Sequence, residues 1–333
     1  MDRCKLRRFR EDDFAALHAI VSDYEVVKML GSWPHPAEPA FTRARMETPE
    51  AKAGQVLVIE VDGELAGTIG GVGGIGYMLG QAYWGRGIAS WAVAEMLKRM
   101  FEGTSLEETT ACVWHGNPAS ERVLAKNGFR MVGECEDFCK ARGVRLKNNS
   151  FKLSRADWVR QQPLRLKTDR LVVEPFSGHE AAALSSLMND PDIARMMATI
   201  PHHFSEQDAA AWLAERKFSH EIGADNGFVA KVSLHDGTLL GFVGIGGAPA
   251  NTAYALGRAH WGQGYATEAM RAFLAHCTRI FALKEITAGA MFDNPASAVV
   301  LKKLGFVHVG EKQHKASGRV EKARLLLYRK INH

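Results

Sequence analysis

Apolar positions along the chain fall into two rhythms, and each predicts a different element. Apolar-rich runs over 56–61 and 65–69 flank Asp62-Gly63, and runs over 227–234 and 239–246 flank Asp236-Gly237. Short apolar runs around an Asp-Gly dipeptide predict β-hairpins. By contrast, Ala266, Ala269, Met270, Phe273, Leu274 and Cys277 recur at spacings of three and four, predicting a helix over 266–277 with one buried face. Ser205 with Asp208 three residues on marks the start of another helix within 204–218. In the second half the full order reads strand 170–174, helix 179–188, helix 204–218, the hairpin, strand 254–256, a glycine turn and the long helix. Strand 285–292, a short helix over 295–304 stopped at Gly305, and a last strand over 323–328 complete it. Strands in the middle with helices around them give an α+β class, a mixed and mostly antiparallel central sheet flanked by helices.

The first half follows the same order because the chain repeats itself. Tyr-Met-Leu-Gly-Gln-Ala-Tyr-Trp-Gly-Arg-Gly-Ile-Ala at 77–89 lies over Tyr-Ala-Leu-Gly-Arg-Ala-His-Trp-Gly-Gln-Gly-Tyr-Ala at 254–266, an offset of 177. The same offset carries Asn-Pro-Ala-Ser at 117–120 onto 294–297, and Gly128-Phe129 onto Gly305-Phe306. Upstream the offset is 167, matching Arg3 with Arg170 and Pro34-His35 with Pro201-His202, so the second copy carries an insertion, part of it a longer hairpin at 248–252. Between the copies Arg155, Arg160, Gln161, Gln162 and Pro163 suggest a polar linker. The expected domains are residues 1–158 and 164–333.

Composition adds limits. With 46% hydrophobic and 24% charged residues the 333-residue chain is that of packed domains, and this length suits about two of them. Two uncharged tracts, 65–85 and 237–257, are too rich in glycine to cross a membrane as helices. The net charge of +5 is scattered, which suggests an anionic ligand and excludes a nucleic-acid-binding surface as the expectation. Five cysteines without a CxxC pair suggest reduced thiols and no metal site, and the charge-rich residues 1–13 lack a signal peptide's apolar core. The expected location is cytoplasmic, without membrane association.

The chemistry concentrates in a few motifs. Trp-Gly-x-Gly-x-Ala, at 84–89 and 261–266, joins a strand to a helix through two glycines. Such a turn lets consecutive N–H groups and the positive helix end face one anion, a pyrophosphate above all. Residues 71–76 fit the dinucleotide pattern GxGxxG, but a strand follows them and no helix start, so the phosphate cradle is missing. In Asn-Pro-Ala-Ser, helix capping alone explains Asn and Pro. It does not explain Ser120 and Ser297, one turn into the helix.

The glycine turn, followed by Asn-x-x-Ser and then Lys-x-Gly-Phe at 126–129 and 303–306, resembles the GNAT superfamily of acyl-CoA N-acyltransferases. Asp-Arg-Leu at 169–171 and Trp-Gly-Gln-Gly-Tyr-Ala-Thr-Glu-Ala at 261–269 are similar to its branch that acetylates ribosomal-protein N-termini, the RimJ/RimL type. The resemblance runs through nearly the whole chain, once per copy. It implies that the amides of Gly85, Arg86, Gly87, Ile88, Ala89 and Ser90, and of Gly262, Gln263, Gly264, Tyr265, Ala266 and Thr267, hold the pyrophosphate of acetyl-CoA. Backbone groups of Met78, Leu79 and Gly80, and of Ala255, Leu256 and Gly257, would pair with the pantetheine arm, which Asn117 and Asn294 would also contact. Ser120 and Ser297 would protonate the departing CoA thiolate after direct attack by an amine.

Two departures from the family pattern stand out. Trp84 and Trp261 occupy the head of the turn, where many members have Gln or Arg, and an acidic residue usual before the central-strand Tyr is absent from both copies. The general base is therefore open among Glu134, Glu311, Asp293 and His314. Copy one replaces Thr267-Glu268 by Ser90-Trp91 and Asp293 by Gly116, so copy two is nearer the family pattern. Basic residues Lys140, Arg142, Arg145 and Lys147, and Lys312, Lys315, Arg319 and Lys322, fall in equivalent hairpins and suggest solvated loops. The expected activity is N-acetyl transfer from acetyl-CoA to a small-molecule or peptide amine whose identity the variable segments 29–39 and 196–204 would set. The rival expectation is a regulatory protein or pseudoenzyme that binds acyl-CoA without turnover. Two copies in one chain would form an internal pseudo-dimer, in a monomer or a weak dimer.

Overall fold

Asp62 and Gly63 both take positive φ, 54° and 91°, the backbone that a two-residue hairpin turn requires. They join β2 (Val56–Val61) to β3 (Glu64–Gly70), with β1 (Cys4–Arg7) beside β2 and β4 (Gly76–Leu79) beside β3 in a four-stranded antiparallel sheet. The chain is described here by a computed structural model covering residues 3–71, 73–102, 104–219, 221–223 and 227–332. A separate three-stranded sheet follows, β5 (Glu108–Trp114), β6 (Arg130–Cys139) and β7 (Val144–Ser154), with β7 in the centre.

In the second half the corresponding strands join one eight-stranded sheet. β8 (Leu166–Lys167), β9 (Leu171–Pro175), β10 (Gly227–Leu234), β11 (Leu239–Gly246) and β12 (Asn251–Leu256) lie in sequence order, followed across the sheet by β13 (Glu285–Met291), β15 (Ala323–Ile331) and β14 (Val307–His314). The Asp236-Gly237 turn is longer than its counterpart: Gly237 alone takes positive φ, Thr238 N donates to Asp236 Oδ1 at 2.9 Å, and the ladder shifts between Val232 and Ser233. The sheet is antiparallel except at one seam. β12 and β13 run parallel and pair only at Asn251 with Thr287 and Thr252 with Ala288.

Helices cover both faces of that sheet. On one face the helix Tyr265–Phe281 buries Ala269, Met270, Phe273, Leu274 and Cys277 against Leu171, Val243 and Leu256. It extends four residues beyond the predicted 277 because Ile280 continues the buried stripe past the polar Thr278 and Arg279, and Ala282 ends it at φ 51°. On the other face the helices Ala181–Met188 and Glu206–Glu215 pack Leu184, Met188 and Trp212 against Val229, Phe242 and Ala255. The second of these begins in a full capping box between Ser205 and Asp208, as the spacing predicts. In the first half the helix Ile88–Phe101 buries Ala92, Val93, Met96, Leu97 and Phe101.

The chain divides into two compact units, Met1–Gln161 and Gln162–His333. The polar linker expected from Arg155 onward is corrected by the structure. Ser154 caps a short helix, Arg155–Val159, whose Trp158 and Val159 are core residues of the first unit. The Arg155 guanidinium is itself buried, donating to the carbonyls of Leu106, Phe101 and Thr104 at 2.9, 2.9 and 2.8 Å. A buried cation survives there because chain carbonyls satisfy it. Arg155→Ala is expected to destabilise the first unit by about 2–4 kcal/mol by leaving those carbonyls unpaired, with Arg155→Lys recovering only part. Urea unfolding followed by probes in each half checks this: the second unit's transition should stay where it is.

Candidate functional site

The seam between β12 and β13 builds the site. After Thr252 the two strands separate, so the edge of Ala253, Tyr254, Ala255 and Leu256 that faces β13 has lost its ladder partner while the opposite edge stays paired with β11. The first unit opens at the same place. Ile75 N donates to Thr110 O at 2.7 Å, beyond which β4 belongs to one sheet and β5 to the other. An exposed strand edge is a template for an extended, amide-bearing chain. Met78, Leu79 and Gly80, and Ala255, Leu256 and Gly257, lie on these edges or at their ends. The segment 71–76 with the dinucleotide-like pattern leads into β4 and into no helix; its Val72 lies outside the described residues.

The glycine turn stands at the end of that edge. Gly85 and Gly87 have φ of 71° and 76°, and Gly262 and Gly264 have 74° and 81°, so both turns need residues free of the left-handed penalty. Gly87 and Gly264 are the N-cap residues, and the first helical backbone bonds are Trp91 N to Gly87 O and Glu268 N to Gly264 O, each 3.1 Å. Among the described residues the preceding amides, Ile88 to Ser90 and Tyr265 to Thr267, have no backbone acceptor, as at any helix start. Space above Gly85 and Gly262 is open. The tryptophans at the head of the turn tie it to the strand before it, since Trp84 Nε1 donates to Leu79 O and Trp261 Nε1 to Leu256 O, both at 2.8 Å. Each indole binds the last carbonyl of the strand and leaves much of its ring exposed.

In the second unit the turn is braced from the unit's N-terminus. Glu268 accepts from Thr168 Oγ1 at 2.5 Å, from Arg170 N at 3.1 Å and from Arg170 Nε at 2.7 Å. Arg170 also donates Nη1 to Gln263 O at 3.0 Å and lies over the Tyr265 ring. Burial pushes the Glu268 carboxyl up, but the bonds from Thr168 and Arg170 outweigh it and hold the carboxyl below the ordinary range. The first unit has Trp91 at that position, and Arg3 pairs with Asp62 instead.

Asn117 and Asn294 act as N-caps, accepting from Ser120 N and Ser297 N at 3.1 Å each. The helices they start, Pro118–Lys126 and Pro295–Lys303, place Ser120 and Ser297 against a residue that sequence reasoning passed over. Tyr77 Oη lies 2.8 Å from Ser120 Oγ, and Tyr254 Oη donates to Ser297 Oγ at 2.9 Å. Burial pushes both phenols up to about 12, only partly offset by the bond to serine. Both therefore keep their protons at neutral pH. The signal that would have found them was present: both pairs obey the offset of 177.

A cavity of about 1420 Å³ in the second unit contains this apparatus. Its wall includes Gly262, Gly264 and Thr267 of the turn, Tyr254, Asn294 and Ser297, and Met196, Met197, Trp212 and Glu215 from the helical side. Of the four candidate bases, Asp293 is held by Arg319 at 2.6 and 2.8 Å and by Arg195 at 2.9 Å. Burial raises its carboxyl, yet the Arg319 bonds and both charges keep it below the usual range, so it is a poor proton acceptor. Glu311 pairs with Arg324 and Glu134 with His115. His314 lies on the cavity wall with Nε2 buried and unpartnered among the described residues. No group of metal-ligating side chains is found among the described residues.

Comparisons with known proteins identify the family. The Acetyltransferase (GNAT) domain family matches residues 3–130 and 170–307. An uncharacterized N-acetyltransferase, p20, of Bacillus licheniformis is 29% identical over 172 residues, 47% of this chain and 96% of the relative. The uncharacterized N-acetyltransferase YoaA of Bacillus subtilis is 24% identical over 160 residues, 44% of this chain and 84% of the relative. Among solved structures, a GNAT-family acetyltransferase from Bacillus anthracis aligns with a TM-score of 0.43 at 20% identity, covering 50% of this chain and 98% of its own. Two family matches that together take in most of the sequence, one in each compact unit, show that the chain belongs to the GNAT acetyltransferases and carries two such domains.

Proposed function

We propose that the protein transfers an acetyl group from acetyl-CoA to a primary amine by direct attack. The observation that carries this reading is the tyrosine–serine pair, made twice, beside a strand edge that has lost its partner and a helix start with free amides. In the second domain the amides of Gly262 to Thr267 would hold the pyrophosphate, and the Ala255–Gly257 backbone would pair with the pantetheine arm. The amine attacks the thioester carbonyl, the C–S bond breaks, and the leaving sulfur needs a proton. Tyr254 donates its own proton to Ser297 Oγ, which leaves the serine hydrogen free to turn toward the cavity. Ser297 then protonates the thiolate and is resupplied by Tyr254, and the proton that the attacking nitrogen gives up on becoming an amide passes through water and restores the phenol. Ser120 and Tyr77 make the same pair in the first domain. A regulatory protein that only holds acyl-CoA has no evident use for a buried, protonated relay, so turnover is the favoured reading.

The acceptor side fits an amine carried on an apolar body, since Met196, Met197 and Trp212 line that part of the cavity. Acetyl-CoA titration by calorimetry and thiol release with a panel of amines test the whole reading. Two bound equivalents and amine-dependent release are expected, and absence of binding at both sites would overturn it.

Gly264→Glu is expected to cut the stoichiometry to one, because it puts a side chain and a negative charge into the anion turn. Glu268→Gln, which weakens the brace without filling the turn, should lower affinity at the second site about tenfold, the worth of one charge-assisted hydrogen bond. Equal affinity in this variant and the wild type would show that the brace does not shape the site.

Tyr254→Phe and Ser297→Ala, each made with the first domain disabled by Gly87→Glu, should lower kcat by about 10²-fold with little change in the acetyl-CoA dissociation constant. The wild-type rate should rise with pH as the acceptor ammonium loses its proton. Tyr254 keeps its proton far above neutrality, so no descending limb is expected below about pH 10. A fall in rate between pH 7 and 9 would exclude Tyr254 as the proton source.

A further inference from the structure

Part of the cavity wall in the second domain is the segment 195–199, which follows a helix of only four residues, Pro191–Ala194, and belongs to no helix or strand. Such a segment takes its position from what holds it. Here that is the hairpin joining β14 to β15: Ser317 N and Ser317 Oγ donate to Ala198 O at 3.1 and 2.9 Å, and Arg319 Nε donates to Arg195 O at 2.6 Å. Gly318 between them lies so close that an added Cβ would fall 2.4 Å from Ala194 O. The first domain repeats the clasp. Lys140 N donates to Gly31 O at 3.3 Å, and the offsets of 177 and 167 carry these two residues onto Ser317 and Ala198.

The charges around the clasp are repeated only in part. In the second domain Asp293 accepts from Arg319 Nη2 at 2.6 and 2.8 Å and from Arg195 Nη1 at 2.9 Å; Arg195 Nε donates to Asp192 Oδ1 at 3.1 Å, and Asp192 pairs with Arg258 at 2.7 Å. This alternating series runs from the hairpin, through the residue that precedes the Asn294 N-cap, to the cavity segment and on to the residue after Gly257. In the first domain Lys28 pairs with Glu25 as Arg195 does with Asp192, and Gln81 donates to Asp23 at 2.7 Å where Arg258 faces Asp190. The central position is Gly116, and Arg142, the counterpart of Arg319, contacts Met29 Sδ at 3.6 Å instead. One carboxylate therefore closes the series in the second domain. Burial works against its charge, but the Arg319 bonds and both guanidinium charges outweigh burial, so Asp293 is ionised at neutral pH.

We propose that Asp293 is a positioning residue for the acceptor amine, peculiar to the second domain: by holding Arg195 and Arg319 together it fixes Met196 and Met197 in the cavity wall beside the start of the helix that carries Ser297. The inference rests on the acetyl-transfer reading of that cavity. The wall contains Arg195 and Asn294 but not Asp293, so the carboxylate acts through its partners. A wall segment already fixed loses less freedom when the amine binds, which places the gain in acceptor affinity and not in the chemical step.

Kinetics of the full chain with the fastest amine of the thiol-release panel, the first domain disabled by Gly87→Glu, test this. Asp293→Asn and Arg319→Ala should each raise KM for the amine about tenfold, the worth of one charge-assisted hydrogen bond, with little change in kcat or in the acetyl-CoA dissociation constant. Arg319→Lys should recover part of the loss. Hydrogen exchange read by mass spectrometry on the unliganded chain should be faster over 195–199 in Asp293→Asn and Arg319→Ala, and unchanged over the helix Tyr265–Phe281. An unchanged KM, or unchanged exchange over 195–199, would overturn the proposal; so would a collapse of kcat at unchanged KM, which would make Asp293 the base. A wild-type chain that binds no acetyl-CoA would reject the acetyl-transfer reading, a separate failure because the exchange measurement needs no ligand.

Discussion

A sheet that stops pairing halfway is the constraint on which the rest of this protein depends. Two strands run parallel for two residue pairs at β12 and β13, then part, and beyond Thr252 the β13-facing edge of β12 has no ladder partner among the described residues. Such an edge is costly unless something occupies it. The surrounding residues hold it open. Gly241 on β11 is close enough to β12 that an added Cβ would fall 2.1 Å from Ala255 O, so the paired side of the strand is drawn tight while the other side stays free. Trp261 binds the final carbonyl of β12, and the turn that follows redirects the chain so that the helix begins with its free amides at the end of the gap.

Duplication makes the constraint easier to interpret. Register, bulge, N-caps, indole caps and the Tyr–Ser pair are kept in both domains, and these are the features that frame the gap. The differences lie around it. The Thr168–Arg170–Glu268 brace, the Asp293–Arg319–Arg195 cluster and Lys312 belong to the second domain; Trp91, Gly116 and the exposed thiols stand at the corresponding places in the first. The chain keeps the Tyr–Ser pair and its frame twice and varies what steadies the turn.

Much of this was legible in the amino-acid order because local rules agree with the global fold. Asp62-Gly63 specifies its turn by conformational necessity, Ser205 with Asp208 specifies a helix start, and Asn294-Pro295 does so again. What escaped were relations between distant residues. Tyr254 reads as an ordinary strand aromatic until the fold brings Ser297 to it across 43 residues. Arg155 reads as linker because a charged residue after a strand is normally solvated, and only the three carbonyls around it show otherwise. Asp293 stood among four open candidates for the base because its partners, Arg195 and Arg319, are distant from it in sequence on either side.

The asymmetry between the domains has a physical direction. The second-domain turn is tied by Trp261 and by the bonds of Glu268 to Thr168 and Arg170, where the first has the Trp84 bond to Leu79, so on the proposed reading the second turn loses less freedom when it takes up an anion.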